Sequence, residues 1–209
     1  MEEAEEWDGG KATWAQARLR SSTIMEISEW KAKLEREREM KDRFFAEHWQ
    51  SPIPSKDRMG FKGLDYFPPD PAHRFGLELH EHEEKRVVRM AYTKGQERDF
   101  LRWGEFRFKV SDKEQAIQAY KSDPAEERLF ILFRDATSGK ETYGAGRYLD
   151  LEPDRDQTAE GKWILDFNKA YNPWCVYSEG YTCPVVPLEN WLQVPMRAGE
   201  RNYSSELGH

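Results

Sequence analysis

The chain has 209 residues, of which 34% are charged and 13% aromatic, and a net charge of −7. That balance excludes the concentrated basic face that nucleic-acid binding requires, and it does not suit an anionic membrane surface. No apolar run approaches the roughly 18–20 residues of a spanning helix, so no membrane insertion is expected.

The N-terminal "MEEAEEWDGG" is acidic where a signal peptide would be basic and then apolar, so the expectation is a soluble, cytoplasmic protein. Eight tryptophans and eleven phenylalanines imply a core built on rings, each burying on the order of 150–250 Å². Residues 1–11 read as a disordered acidic tail and 12–50 as a helical extension free of Pro and Gly until Pro52. Glu29–Lys33, Glu37–Lys41 and Glu39–Arg43 are i,i+4 pairs with the acid first, the favourable order. Ile24, Ile27, Trp30 and Leu34 form a narrow apolar stripe, thickened further on by Phe44, Phe45 and Trp49, which should anchor the helix. Pro52 and Pro54 end it.

From there to 203 the period changes from 3.6 to 2, and a β domain is expected, followed by a short tail at 204–209. Segments 75–81, 86–93, 105–110, 129–135, 141–149, 162–168 and 191–197 read as strands, and "LFILFRD" as a central one. "SDKEQAIQAY" reads as a short helix, with Ser111 as cap and Glu114 three residues on. "ATSGK" is a turn, which makes 129–149 a hairpin. The fold class is therefore mainly β: an antiparallel β-barrel or sandwich with a long N-terminal α-helix.

Alternation puts Arg147 and Asp166 on apolar faces, where an unpaired charge is costly. An Arg147–Asp166 pair resolves this, either as a structural ion pair or with Arg147 held ready for a ligand's carboxylate or phosphate; the remaining alternative is that the two charges face other elements. Gly144 and Gly146 bare one strand face for two pleats, which permits close approach of a backbone, of a ring such as Trp174 or Tyr171, or of a ligand. Cys175 and Cys183 leave four alternatives open: buried thiols, a disulfide, a metal pair or a nucleophile. No zinc is expected. His80 and His82, two apart in a charged run, suggest a hairpin tip more than a metal pair.

Three stretches, "FKGLDYFPPDPAHRF", "LFILFRDATSGKETYGAGRYLDL" and "DFNKAYNPWCVYSEGYTCPVVPLENWLQVPMRAGE", together resemble the domain of unknown function 1684 family of bacteria and archaea. The similarity covers about Lys31 to Tyr203 and includes Asp135, Thr137, Thr142, Gly146, Arg147, Cys175, Cys183 and Gly199. Trp174 stands where a second proline is usual. The resemblance implies one domain and carries no activity.

The functional expectation is a small-ligand-binding β domain with a polar site of Arg147, Asp166, Asn168, Tyr171 and Asn172, edged by Glu189 and Asn190. If it is catalytic, Asp166 or Glu189 is the general base and Arg147 the anion clamp. The alternative is a non-catalytic interaction protein or accessory subunit. It would dock on a protein partner, or on itself, through residues 12–49, with Ile24, Ile27, Trp30 and Leu34 as the contact. No cofactor is named by the sequence.

Overall fold

The computed structural model describes residues 11–203, with side chains described from Met25 onward, so the expectations for both tails and for the Ile24 side chain lie outside the described residues. Helix α1 spans Lys11–Glu47. The chain divides into two units, one ending at Glu39 and the other beginning at Met40. In the first unit Met25 is exposed, Ile27 and Trp30 are half-buried, and Leu34 is buried. In the second, the last turns of α1 are pinned by rings. Phe45 is buried with Ile53 and Tyr177, and Phe44, Phe61 and Tyr203 pack around them. Trp49 does not join this anchor, being 78% exposed.

The rest is mainly β, in two antiparallel sheets. Strands β1 (Arg74–Leu77), β2 (His80–Ala91), β3 (Glu97–Val110), β4 (Lys113–Lys121), β5 (Leu129–Phe133), β6 (Arg147–Leu151) and β7 (Trp163–Asp166) follow in chain order. The larger sheet has the order β2-β3-β4-β5-β6, and β1 pairs with β7 in a two-stranded one. Strands β2 and β6 are the edges of the larger sheet and do not pair with each other, so it is not a closed barrel.

Period-two alternation gives this sheet two apolar faces. One carries Phe106, Phe108, Ile117, Ile131, Phe133 and Leu149, with Trp163, Leu165 and Phe167 added from around β7. The other carries Met90, Tyr120, Leu132 and Tyr148, covered by Cys183 and Val186. Strand β5, buried on both faces, lies inside the sheet as expected for "LFILF".

Several elements differ from expectation. Residues 113–121 form a strand, not a helix. Val110 pairs with Lys113, leaving Ser111 (φ 47°) and Asp112 (φ 64°) as a two-residue turn. Positive φ at both positions is the mirror-image turn that matches strand twist. A Ser followed three residues later by Glu fits this hairpin as well as a helix cap. Strands β5 and β6 do pair as a hairpin, Phe133 opposite Arg147, but the connection is the whole of 134–146 rather than "ATSGK" alone. Residues 191–198 alternate in burial like a strand, yet they join no sheet; a parallel bridge links Arg134 and Trp191.

Candidate functional site

The Arg147 guanidinium is fully buried, and its partner is Asp135, not Asp166. Strand β6 pairs with β5, whereas β7 pairs with β1, so the strands carrying Arg147 and Asp166 are not neighbours. Arg147 Nη2 donates to Asp135 Oδ2 at 3.0 Å and to the Met196 carbonyl at 2.8 Å. Nη1 donates to the carbonyls of Ala198 and Glu200. Three alternate carbonyls of the 191–200 segment therefore bond to a side chain instead of to a strand. Burial pulls the guanidinium below its ordinary pKa, against the opposing charge of Asp135. Asp135 Oδ1 also accepts from Thr137 N (2.8 Å), Thr137 Oγ1 (2.6 Å) and Met196 N (3.2 Å).

Asn190 does a similar job between two strands. β4 and β5 pair only at Tyr120 and Phe130, so Gln118 and Leu132 would otherwise face each other without ladder bonds. The Asn190 amide fills that place. Its oxygen accepts from Gln118 N at 2.7 Å, and its nitrogen donates to Gln118 O (2.9 Å) and Leu132 O (2.8 Å). Asp166 accepts from the backbone N–H of Asn168 and faces Arg74 at 3.6 Å. Asn168 accepts from Asp70 N and donates to Asp70 O, tying down the Pro-rich loop. Glu189 is exposed and accepts from Tyr120.

The buried Glu200 was not singled out by sequence. One carboxylate oxygen takes Lys41 Nζ at 2.5 Å, and the other takes Asn172 N (2.7 Å) and Tyr177 Oη (2.9 Å). Asn172 in turn donates to Arg201 O. Arg147, Asn168, Asn172 and Asn190 thus lie buried and bonded to the fold's own backbone, in three separate clusters.

Of the expected site residues, Tyr171 lines an open cavity. That cavity, of about 410 Å³, sits over the second face of the large sheet. Phe100, Phe130 and Tyr148 line it from the strands, and Trp174, Tyr181 and Cys183 from the 166–184 segment. The rings brace one another: Phe130 meets Tyr148 edge-on at 5.2 Å between centroids, and Trp174 meets Tyr181 at 5.1 Å. Tyr171 Oη donates to Asp150 at 2.6 Å, and Tyr148 Oη to the Pro184 carbonyl. Burial raises both phenols above their ordinary pKa, so they remain neutral donors. Two cations reach the cavity. Arg128 is paired with Glu126 and Asp150, whereas Arg98 makes no ion pair among the described residues and lies over the Tyr92 ring at 5.2 Å. Of the three occupants the sequence left open at Gly146, a backbone, a ring or a ligand, it is backbone that approaches, beside the Val186 side chain. A Cβ there would lie 2.5 Å from the Phe133 carbonyl.

The family model for a protein of unknown function (DUF1684) matches residues 59–201. This chain belongs to the DUF1684 family. The match includes Asp135, Arg147, Asn190, Glu200 and every residue lining the cavity, and it excludes α1. The chain is also similar to an uncharacterised protein of Haloarcula marismortui solved by NMR in solution. The identity is 39%, with 85% of this chain and 96% of the other covered and a TM-score of 0.65. No curated protein matches it. Among the described residues no helix is long and apolar enough to cross a membrane.

Proposed function

We propose that this DUF1684 member is a small-ligand-binding β domain, and that the ligand occupies the ring-lined cavity above β3, β5 and β6. The observation that carries this is the pairing of a half-apolar concavity with a cation, Arg98, that makes no ion pair among the described residues. Cavities of this size, with aromatic walls and a few convergent polar groups, suit small molecules. Ring edges and faces at this spacing favour a flat ring as guest, and the Arg98 guanidinium favours an anionic substituent on it. The ligand class is therefore a flat, ring-bearing anion. The buried groups around Arg147, Asn172 and Asn190 support the site indirectly, by holding the 166–200 segment that forms its outer wall.

A titration with 1-anilinonaphthalene-8-sulfonate, a fused ring with a sulfonate, tests this by fluorescence on the full chain. Saturable binding of one probe per chain is expected, weakened about tenfold or more by Arg98→Glu and by Trp174→Ala. Arg98 and Trp174 are both surface side chains, so both variants should fold. No saturable binding, or binding indifferent to both changes, refutes the proposal.

A further inference from the structure

One of the two cysteines lines this cavity and the other packs beside it, and their arrangement is not that of two inert buried thiols. Cys183 lines the cavity and is 7% exposed. Its Sγ accepts the backbone N–H of Cys175 at 3.4 Å, in the turn Trp174–Val176. Cys175 packs in the same apolar cluster as Cys183. Both cysteines are free. A sulfur that receives a backbone N–H is arranged to hold negative charge, and a neighbouring thiol is arranged to displace whatever the first acquires.

We propose that Cys183 and Cys175 form a two-thiol redox site, which a small hydroperoxide entering the cavity oxidises to a disulfide. In the first step the Cys183 thiolate attacks the terminal oxygen of the hydroperoxide. An S–O bond forms, the O–O bond breaks, and the departing oxyanion takes a proton, leaving Cys183 as the sulfenic acid. In the second step Cys175 sulfur attacks Cys183 sulfur. The S–S bond forms, the S–OH bond breaks, and the thiol proton leaves with the hydroxide as water. Two thiols lose two electrons, and one hydroperoxide is reduced to water and an alcohol, or to two waters if it is hydrogen peroxide. A compact oxidant suits a sulfur that is mostly covered, where a bulky disulfide would not reach.

The protonation pattern agrees with these roles. The hydrogen bond from Cys175 lowers the pKa of Cys183, helped by backbone N–H groups and opposed by burial. The same contact, with burial, raises that of Cys175. The titratable groups around the pair are the phenol of Tyr143 and, lining the cavity with Cys183, the phenols of Tyr92, Tyr148, Tyr171 and Tyr181 and the guanidiniums of Arg98 and Arg128. Burial raises Tyr143 and Tyr148, so both phenols stay neutral while the thiols react.

The test needs no cavity ligand, so it stands or falls separately from the binding proposal. The reduced full-length protein is treated with a slight excess of hydrogen peroxide, then mapped by mass spectrometry without reductant. The expected product is a Cys175–Cys183 disulfide, reversed by dithiothreitol. In Cys175→Ser the reaction should stop at a Cys183 sulfenic acid that dimedone traps, and Cys183→Ser should give neither product. On the wild type, the oxidation rate should rise with pH through a midpoint below the ordinary thiol value of about 8.5, because the thiolate is the nucleophile. The proposal is overturned if both wild-type thiols remain alkylatable after excess peroxide. It is also overturned if the midpoint lies at or above the ordinary value, or if Cys175 is the residue that forms the sulfenic acid.

Discussion

Asp135→Asn keeps the side-chain volume and removes its charge, and it isolates what the Arg147 pair contributes. In the protein, Asp135 Oδ1 serves Thr137 and Met196 while Oδ2 faces Arg147. The amide oxygen of Asn can keep the first set. Its NH2 group then meets the guanidinium donor to donor, and a buried cation loses its counter-charge. Removing one partner of a buried pair costs about 3–5 kcal/mol. The three carbonyls of Met196, Ala198 and Glu200 still hold Arg147, which argues for the low end, about 3 kcal/mol. For a chain of this size that lowers Tm by roughly 6–12 °C. Thermal unfolding followed by circular dichroism gives the first number. A double-mutant cycle with Arg147→Met gives the coupling, expected at about 2 kcal/mol or more because each single change strands the same charge pair. A Tm within about 2 °C of wild type, or additivity within about 0.5 kcal/mol, refutes the reasoning.

Two further changes probe the same scaffold. Asn190→Ala leaves the buried Gln118 N–H and the Gln118 and Leu132 carbonyls without their partner. A loss of about 2–4 kcal/mol is expected, with faster hydrogen exchange at the Gln118 amide as the local readout. Gly146→Ala forces a Cβ against the Phe133 carbonyl at φ +106°, whereas Gly95→Ala meets open space at φ +82°. By urea unfolding the first should cost at least about 2 kcal/mol more than the second, since backbone strain is common to both and the collision is not.

Legibility in the sequence followed the range of each interaction. "GEFRFKV" and "LFILF" announce their strands because alternation and continuous burial are local properties. Residues 111–114 misled because Ser-Asp-Lys-Glu satisfies both a helix cap and a mirror-image turn. The strand pairing outside the window then decides between them. That Arg147 needed a buried carboxylate followed from its apolar neighbours, but which one did not. Asp135 and Asp166 are both available within 20 residues. The choice depends on β7 pairing with β1, whose Arg74 lies opposite Asp166. Glu200 escaped notice because nothing around it in sequence is apolar enough to make a charge look expensive. Its partners Lys41, Asn172 and Tyr177 come from other parts of the chain.

The density of amides and carboxylates in the 166–200 segment has a physical cause that composition cannot display. After Asp166 this segment packs on the larger sheet and joins neither sheet beyond isolated bridges, so its backbone has few ladder bonds of its own. Buried backbone groups must still be paired. Arg147 answers three carbonyls, Asn190 answers three groups of β4 and β5, and Asn168 answers two of the Pro-rich loop. A side chain used this way must be polar, of fixed length and buried, which are also the marks expected of a ligand site. What separates the two uses is whether the polar atoms end on the protein's own backbone or on open space. By that criterion the Arg98 guanidinium, which makes no ion pair among the described residues, and the ring faces of the cavity are free to act on something other than the fold.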